Sequence, residues 1–382
     1  MRFAFFHAIL LIIVLWRFVL PMRATPLVKG LLTAFLVCAA AYPFVTAVFL
    51  GGLLSPELPS GLMGAGSLAS STLLVLAVFT VMREGVIFIA VLAGRSGVKL
   101  HKAVQQDRRS VLALGAASVG VAAFGVWQGV KVPDVVRRDL PVPNLPPELE
   151  GFTFVHLSDV HCSSLLSRTH MEALVERVNA LSPELILITG DIADGTVKAR
   201  LEDAAPLADL RARLGVFGCD GNHEHYLDYD RWVEHYAALG IRMLRNDHVV
   251  LEPRQGVRFA FGRVCDPHAA RFGREAPDAD RTFAGAPEGL FRILMAHQPK
   301  RFPEYRQETA FDLQLSGHTH GGQVIGMQKA VEIMNGMFVK GLYALPDGTR
   351  MYVHPGSGLW NGFVLRLGVP AEIAVHRLVR AA

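Results

Sequence analysis

Cysteine is scarce in this chain, with four in 382 residues. Cys38 sits in an apolar run. Cys162, Cys219 and Cys265 fall in the later part, an odd number that leaves at least one thiol unpaired. No C-x-x-C spacing occurs, which argues against a thiolate-built metal site. Cys162, directly after His161, reads as a small buried filler. Surplus charge is missing too, with 38 Lys and Arg against 34 Asp and Glu. The balance is uneven. Residues 1–130 carry 10 basic and 3 acidic side chains, and the remainder carry 28 and 31. The later part is mildly acidic, so no nucleic-acid partner is expected. The first apolar stretch also lacks an A-x-A-like cleavage site, so it reads as an anchor rather than a removable signal peptide.

What is abundant is apolar sequence, at 51% of residues and a mean hydropathy of +0.32. The excess lies in the first third. Four stretches, at about 3–20, 28–50, 70–94 and 110–130, approach the roughly 20 residues a lipid-spanning helix needs. Loop charges predict their orientation. The first loop holds Arg23 and Lys29, with Arg17 nearby. The second, 51–69, holds only Glu57. The third holds Arg95, Lys99, Lys102, Arg108 and Arg109. Loops one and three are expected inside, with both the N-terminus and the C-terminal part outside. "DRRSVLALGAASVGVAAFG" resembles a twin-arginine export signal and agrees with that topology. Arg83 and Glu84 interrupt the third stretch. Adjacent residues project about 100° apart on a helix, so mutual neutralisation along one face is not expected.

These features predict a membrane domain over 1–130, a proline-rich linker over 131–150 and a globular domain over 151–382. The linker "KVPDVVRRDLPVPNLPPELEG" cannot continue a helix, and its shortness keeps the globular domain close to a bilayer. In that domain "FTFVHLSDVH", "ELILITGD" and "GVFGCDGNHE" read as strands that deliver polar residues at their C-terminal ends. Helical patterns lie between them. Further strands are expected around 248–252, 257–262, 291–296 and 311–315. The alternation predicts an α/β sheet fold, with its site at the strand ends.

Five segments line up at strand-to-loop junctions: Asp159-x-His161, Gly190-Asp191-x-x-Asp194, Gly221-Asn222-His223-Glu224, His297 in "LMAHQP", and Gly317-His318-Thr319-His320. Each alone has an ordinary structural explanation; the ordered set does not. Residues i and i+2 on extended chain face the same way, so D-x-H and H-x-H pairs can aim into one site. Imidazole with carboxylate suits Zn, Mn or Fe better than Ca or Mg. Asp191 is a natural bridge between two ions, and such a pair can clamp a phosphate. Nearby, His156 lies on the opposite face of its strand and reads as core. His225 and His354 are weaker candidates to line the site, and Glu224 reads as structural. "HTHGGQ" lacks the Asp and His that a metallo-β-lactamase pattern requires.

The five segments, over about 150–378, resemble the calcineurin-like metallophosphoesterases. The strings "GHTHGGQ", "GNHEHYLDYDRWVEHYAALGIRMLRN" and "GSGLWNGFVLRLGVPAEI" are similar to its membrane-anchored bacterial subgroup. The resemblance implies a four-layer α/β/β/α two-sheet sandwich with two divalent transition metals. One ion would be held by Asp159, His161, Asp191 and His320, the other by Asp191, Asn222, His297 and His318. His223 would be the proton donor, and Asp194 would orient a ligand or a loop. The implied activity is hydrolysis of a phosphate mono- or diester. A lipid-linked phosphate or a pyrophosphate of the UDP-diacylglucosamine type is one option. The alternative is a metal-binding membrane sensor or scaffold without turnover. The implied location is the bacterial inner membrane, multi-pass, with the catalytic domain on the outer, periplasmic side.

Overall fold

The computed structural model of the chain describes residues 2–49, 57–93 and 108–381. The chain divides into two compact units. The first is Met1–Gln128 with Gly362–Leu365, and the second is Gly129–Asn361 with Arg366–Ala382.

The first unit is helical. Its elements are α1 (Arg2–Val14), which runs into a π-helical turn at Leu15–Val19, then α2 (Pro26–Phe49), α3 (Ser60–Leu92) and α4 (Arg108–Val130). Among the described residues three helices are long and apolar enough to cross a membrane: Pro26–Thr46, Ser60–Leu92 and Arg109–Val130. The expected first span is a shorter apolar helix, Phe5–Val19. It stops where Pro21 cannot continue the hydrogen-bond ladder. The third stretch is longer than expected. It starts at Ser60, directly after Pro59, so most of the described part of the predicted second loop is helix. Its 33 residues extend to roughly 50 Å, beyond a bilayer core of about 30 Å. Arg95, Lys99 and Lys102, on which the expected topology partly rests, lie outside the described residues.

Arg83 and Glu84 correct the expectation drawn from their spacing. The Arg83 guanidinium folds back onto the Glu84 carboxylate at 2.7 Å and also donates to the Arg17 carbonyl at 2.6 Å. A long, forked side chain bridges the 100° that separates the two Cα–Cβ directions.

The second unit is built on two six-stranded sheets. Twelve strands supply them: β1 (Asp134–Val142), β2 (Thr153–Leu157), β3 (Ile186–Thr189), β4 (Val216–Cys219), β5 (Ile241–Met243), β6 (Asp247–Arg254), β7 (Val257–Arg263), β8 (Phe291–Met295), β9 (Leu313–Ser316), β10 (Gly341–Ala344), β11 (Arg350–Val353) and β12 (Glu372–Arg380). The sheet orders are β1-β12-β2-β3-β4-β5 and β10-β11-β9-β8-β7-β6. The inner faces of both sheets share one core. Leu140, Phe154, Leu187 and Phe217 come from the first; Phe259, Phe261, Ile293 and Leu315 come from the second. Alternation does the sorting. Phe259 and Phe261 face this core, whereas Ala260 faces a second core with Phe283, Leu294, Phe302 and Phe311 on the outer side. Helices α5 (Arg168–Asn179), α6 (Val197–Ala204) and α8 (Tyr229–Ala238) pack together beside the first sheet, α8 against β5. Between α6 and α8 lies the single turn α7 (Asn222–Tyr226).

Part of the stretch expected to be linker, Asp134–Val142, is strand β1. β1 pairs in parallel with β12 from Asp134↔Glu372 to Val142↔Arg380. Pro141 is tolerated because β1 is the edge strand, where one ladder side needs no N–H. The Asp139–Arg377 and Arg138–Glu372 ion pairs reinforce the pairing.

Strands β2, β3 and β4 run parallel to one another, as do β7, β8, β9 and β11. Their C-terminal ends deliver all the candidate residues.

Candidate metal centre

Asp159 and His161 follow β2. Asp191 and Asp194 follow β3. Asn222 and His223 open α7 after β4. His297 follows β8, and His318 and His320 follow β9. The structure brings all nine together. Three groups place their ligating atoms within 4.8 Å of one another: Asp159, His161 and His320; His161, Asp191 and His223; and Asp191, His297 and His318.

The backbone reaches this arrangement differently from the expected extended pairs. Asp159, His161, Asp191, His318 and His320 all have φ between 47° and 70°. They are five of the ten described non-glycine residues with positive φ, a conformation that side chains with a Cβ adopt at a cost. Local strain is therefore concentrated on the ligating residues. Two glycines leave the necessary room. A Cβ on Gly221 would collide with the Asp191 carboxylate, and one on Gly317 with Ser158 Oγ and the Asp159 carboxylate.

Hydrogen bonds fix which nitrogen of each imidazole is free. His297 Nδ1 donates to the Thr189 carbonyl at 2.7 Å. Its Nε2 then faces the site, 3.2 Å from Asp191 Oδ2 and 3.3 Å from Asn222 Oδ1, and although burial works against it, Asp191 raises the His297 imidazolium well above the usual histidine range. His161 Nδ1 meets Asp194 Oδ1 at 2.9 Å, which turns its Nε2 toward His320 Nε2 at 3.1 Å and Asp191 Oδ2 at 3.8 Å. His320 Nε2 is 3.5 Å from Asp159 Oδ1. Asp191 Oδ2 is thus approached by the Nε2 atoms of both His297 and His161. The backbone N–H of His223 holds the other oxygen at 2.9 Å.

Asp194 has two duties, since Oδ1 also meets His223 Nδ1 at 2.7 Å. Glu224, predicted to be structural, is a cradle. Its carboxylate accepts from the N–H groups of Gly221, Asp191 and Ile192 and from the Tyr236 hydroxyl.

Charge is arranged to match. Burial alone would depress the His223 imidazolium, but Asp191 and Asp194 beside it raise it to about 9. Burial and the neighbouring His297 lower His318 to about 4. Burial, with His161 and Arg366, pushes His320 far down as well. The shifts favour neutral imidazoles at His318 and His320 and an imidazolium at His223. Burial would raise Asp191, yet His297, His223 and His161 hold it well below the carboxylate range. Among the described residues neither Asp159 nor Asp191 has an ion-pair partner from Lys or Arg. Buried carboxylates of this kind are found with cations. The imidazole and carboxylate donor set and its orientation fit divalent metal ions.

Other histidines resolve differently. His156 is buried in the core, bonded to Thr189 Oγ1 at 2.9 Å and facing His376 at 3.3 Å. His225 is buried against Asp220 and stacks on Tyr229. His354 is buried and accepts from the Gly356 N–H. Arg366 is a residue the sequence reasoning missed. It is buried behind His320 and donates to the carbonyls of Pro355, Gly358 and Val369. Only its late position in a string similar to relatives could have drawn attention to it.

A two-sheet α/β sandwich with imidazoles and carboxylates converging at its strand ends defines a metallohydrolase class. The calcineurin-like phosphoesterase profile matches residues 152–322. The chain is 31% identical over 309 residues to a bovine transmembrane protein with metallophosphoesterase domain, covering 78% of this chain and 68% of that one. It is 34% identical to the zebrafish protein of the same description, over 70% of this chain and 62% of that one. An uncharacterized metallophosphoesterase of Helicobacter pylori is 32% identical, over 69% of this chain and 68% of that one. Among solved structures, the NAD nucleotidase of Haemophilus influenzae aligns with a TM-score of 0.39 at 15% identity, over 55% of this chain and 45% of that one. A likeness that distant says nothing of substrate.

The chain belongs to the calcineurin-like phosphoesterases and is a metal-dependent phosphoester hydrolase. Three candidate spans and relatives described as transmembrane mark it as a membrane protein.

Proposed function

We propose that this protein is a membrane-anchored, two-metal phosphoesterase acting on a phosphate mono- or diester. Asp159, His161, Asp191 and His320 would hold one ion, and Asp191, Asn222, His297 and His318 the other. The observation that carries the reading is the placement of Asp191 Oδ2 within 3.2 Å of His297 Nε2 and 3.8 Å of His161 Nε2. Bound there, the ion pair would supply an activated water and a clamp for the phosphate oxygens. The remaining work falls to the chain. Asp194 orients His161 and His223 through one oxygen. His223, held at Nδ1 by Asp194, would give its Nε2 proton to the departing oxygen. Glu224 holds the turn that carries Asn222 and His223 in place. Ser158 donates to Asp159 at 2.5 Å and steadies that carboxylate.

The test is metal analysis of the purified full-length protein together with a panel of phosphate esters. About two transition metals per chain and hydrolysis lost on chelation support the reading. Bound metals with no hydrolysis of any ester would sink it and favour a sensor. The loop charges support a catalytic domain outside the cytoplasm. That side depends on whether Phe5–Val19 crosses the bilayer. Alkaline phosphatase fusions after residue 145 decide it, since activity there requires export.

A further inference from the structure

Large apolar side chains exposed on the second unit are not scattered. Among the described residues of 131–382 there are eight, and five of them fall between 325 and 342: Ile325, Ile333, Met334, Met337 and Leu342. Ile333 and Met334 are 62% and 73% exposed. They sit on α11 (Gln328–Met334), a short helix with no buried residue, after α9 (Ala279–Thr282) and α10 (Phe302–Glu308) in chain order. The segment is nonetheless firmly held. Phe338 packs on the outer core, its ring 6.0 Å from Phe302 and 5.0 Å from Tyr343. The Tyr343 hydroxyl accepts from the Val339 N–H at 2.9 Å. A piece of chain that is anchored on its inner side and apolar on its outer side is built to be covered.

The segment is also joined to the metal centre. The Thr319 hydroxyl, between His318 and His320, donates to the Val339 carbonyl at 2.6 Å. Gln328 Nε2 donates to the Gly321 carbonyl at 3.4 Å.

Charge identifies the occupant. The segment holds Lys329 and Lys340 against the single acid Glu332; Lys329 pairs with Glu332 at 3.0 Å, which leaves Lys340 as the surplus charge. The stem of Lys300 lies beside Gly336. This is a local positive surplus on an otherwise mildly acidic domain. A second copy would bring like charges face to face across a twofold axis. An anionic bilayer satisfies both the apolar side chains and the lysines. Three residues separate α4, ending at Val130, from β1, starting at Asp134, and three residues reach about 10 Å at most. A bilayer that takes α4 is therefore within reach of the domain.

We infer that residues 325–342 form a bilayer-contact surface that seats the metal centre against anionic lipid, where its phosphate ester is embedded. The second half of this inference rests on the phosphoesterase reading. The test uses the full-length protein with Cys38→Ser, which leaves only buried thiols. Met334→Cys, or Leu201→Cys as a control on the same domain, carries an environment-sensitive fluorophore. The protein is reconstituted in equal parts phosphatidylcholine and phosphatidylglycerol. At 334 the emission shifts to the blue and is quenched by doxyl-labelled lipid; at 201 it does neither. Solvent-like emission at both positions overturns the inference. So does cross-linking of two copies through 334 without lipid quenching. A second arm uses Met334→Asp with Met337→Asp. Turnover of a soluble chromogenic diester stays unchanged, while KM for a vesicle-borne phosphate ester rises about tenfold. An unchanged KM overturns the substrate half. Quenching at 334 with no hydrolysis of any ester overturns the phosphoesterase reading and leaves the surface standing.

Discussion

Replacing Asp194 with Asn tests the most specific feature of the site, one carboxylate oxygen shared by two imidazoles. Oδ1 meets His161 Nδ1 at 2.9 Å and His223 Nδ1 at 2.7 Å. Two consequences follow from the same atom. His161 keeps an oxygen acceptor but loses its charged partner, and the weaker orientation costs about 10-fold, at the low end for such changes, in metal affinity or activity. His223 loses one of the two carboxylates that lift it to about 9, so its pKa falls by about 1–2 units. The sign is fixed by the role. A proton donor works below its pKa, and activity declines as pH rises through it. The decline in Asp194→Asn therefore begins at lower pH than in the parent. Cations near Asp191 depress His223 in both proteins, so the difference between the profiles is the readout. The assay is kcat/KM against pH for a diester with an alkyl leaving group, at saturating metal. His223→Ala gives the companion measurement. It loses about 10²–10⁴ on the alkyl ester and much less on a p-nitrophenyl ester, whose anion leaves without a proton. An unmoved alkaline limb in Asp194→Asn, or equal losses on both esters in His223→Ala, would refute the assignment.

Glu224→Gln replaces one carboxylate oxygen with an amide NH2, so two of the four donors lose their acceptor: either Ile192 N–H with the Tyr236 hydroxyl, or the N–H groups of Asp191 and Gly221. The expected cost is about 3 kcal/mol, a fall of about 6–12 °C in the thermal midpoint; no change in the melt would mean the cradle is not needed. Asp191→Asn weakens both halves of the centre, so elemental analysis should find metal lost from both positions rather than from one. Gly317→Ala drives a Cβ into Ser158 and Asp159, and kcat should fall about 100-fold, with metal content falling alongside. Wild-type kcat in that variant would show that the turn has slack the structure does not display.

Much of the centre was legible because its signals are local. Aspartate, asparagine and histidine follow short β-branched runs, and each segment announces a strand end within a few residues. The donor chemistry is likewise a property of residue type. What misled was local reasoning carried too far. The i, i+2 argument assumed extended chain, whereas Asp159, His161, His318 and His320 take positive φ. The prolines of 131–150 were read as linker because proline cannot continue a helix and favours extended chain. Tolerance of Pro141 comes from β1 lying at an edge, and β12, which makes β1 a strand, is more than two hundred residues away. Arg83 and Glu84 looked unable to meet because side-chain length was left out.

The sequence by itself determined the class of chemistry, the order of the strand ends that bear it and the separation of an apolar third from a globular remainder. All of these depend on residue type and short spacing. Only the tertiary structure decided which nitrogen of each imidazole is free, that Asp194 serves two histidines, that Glu224 rather than a ligand holds the turns, and that the apolar residues of 325–342 face outward. Those outcomes depend on contacts between segments far apart in the chain. Such contacts form only when the two sheets close on their shared core.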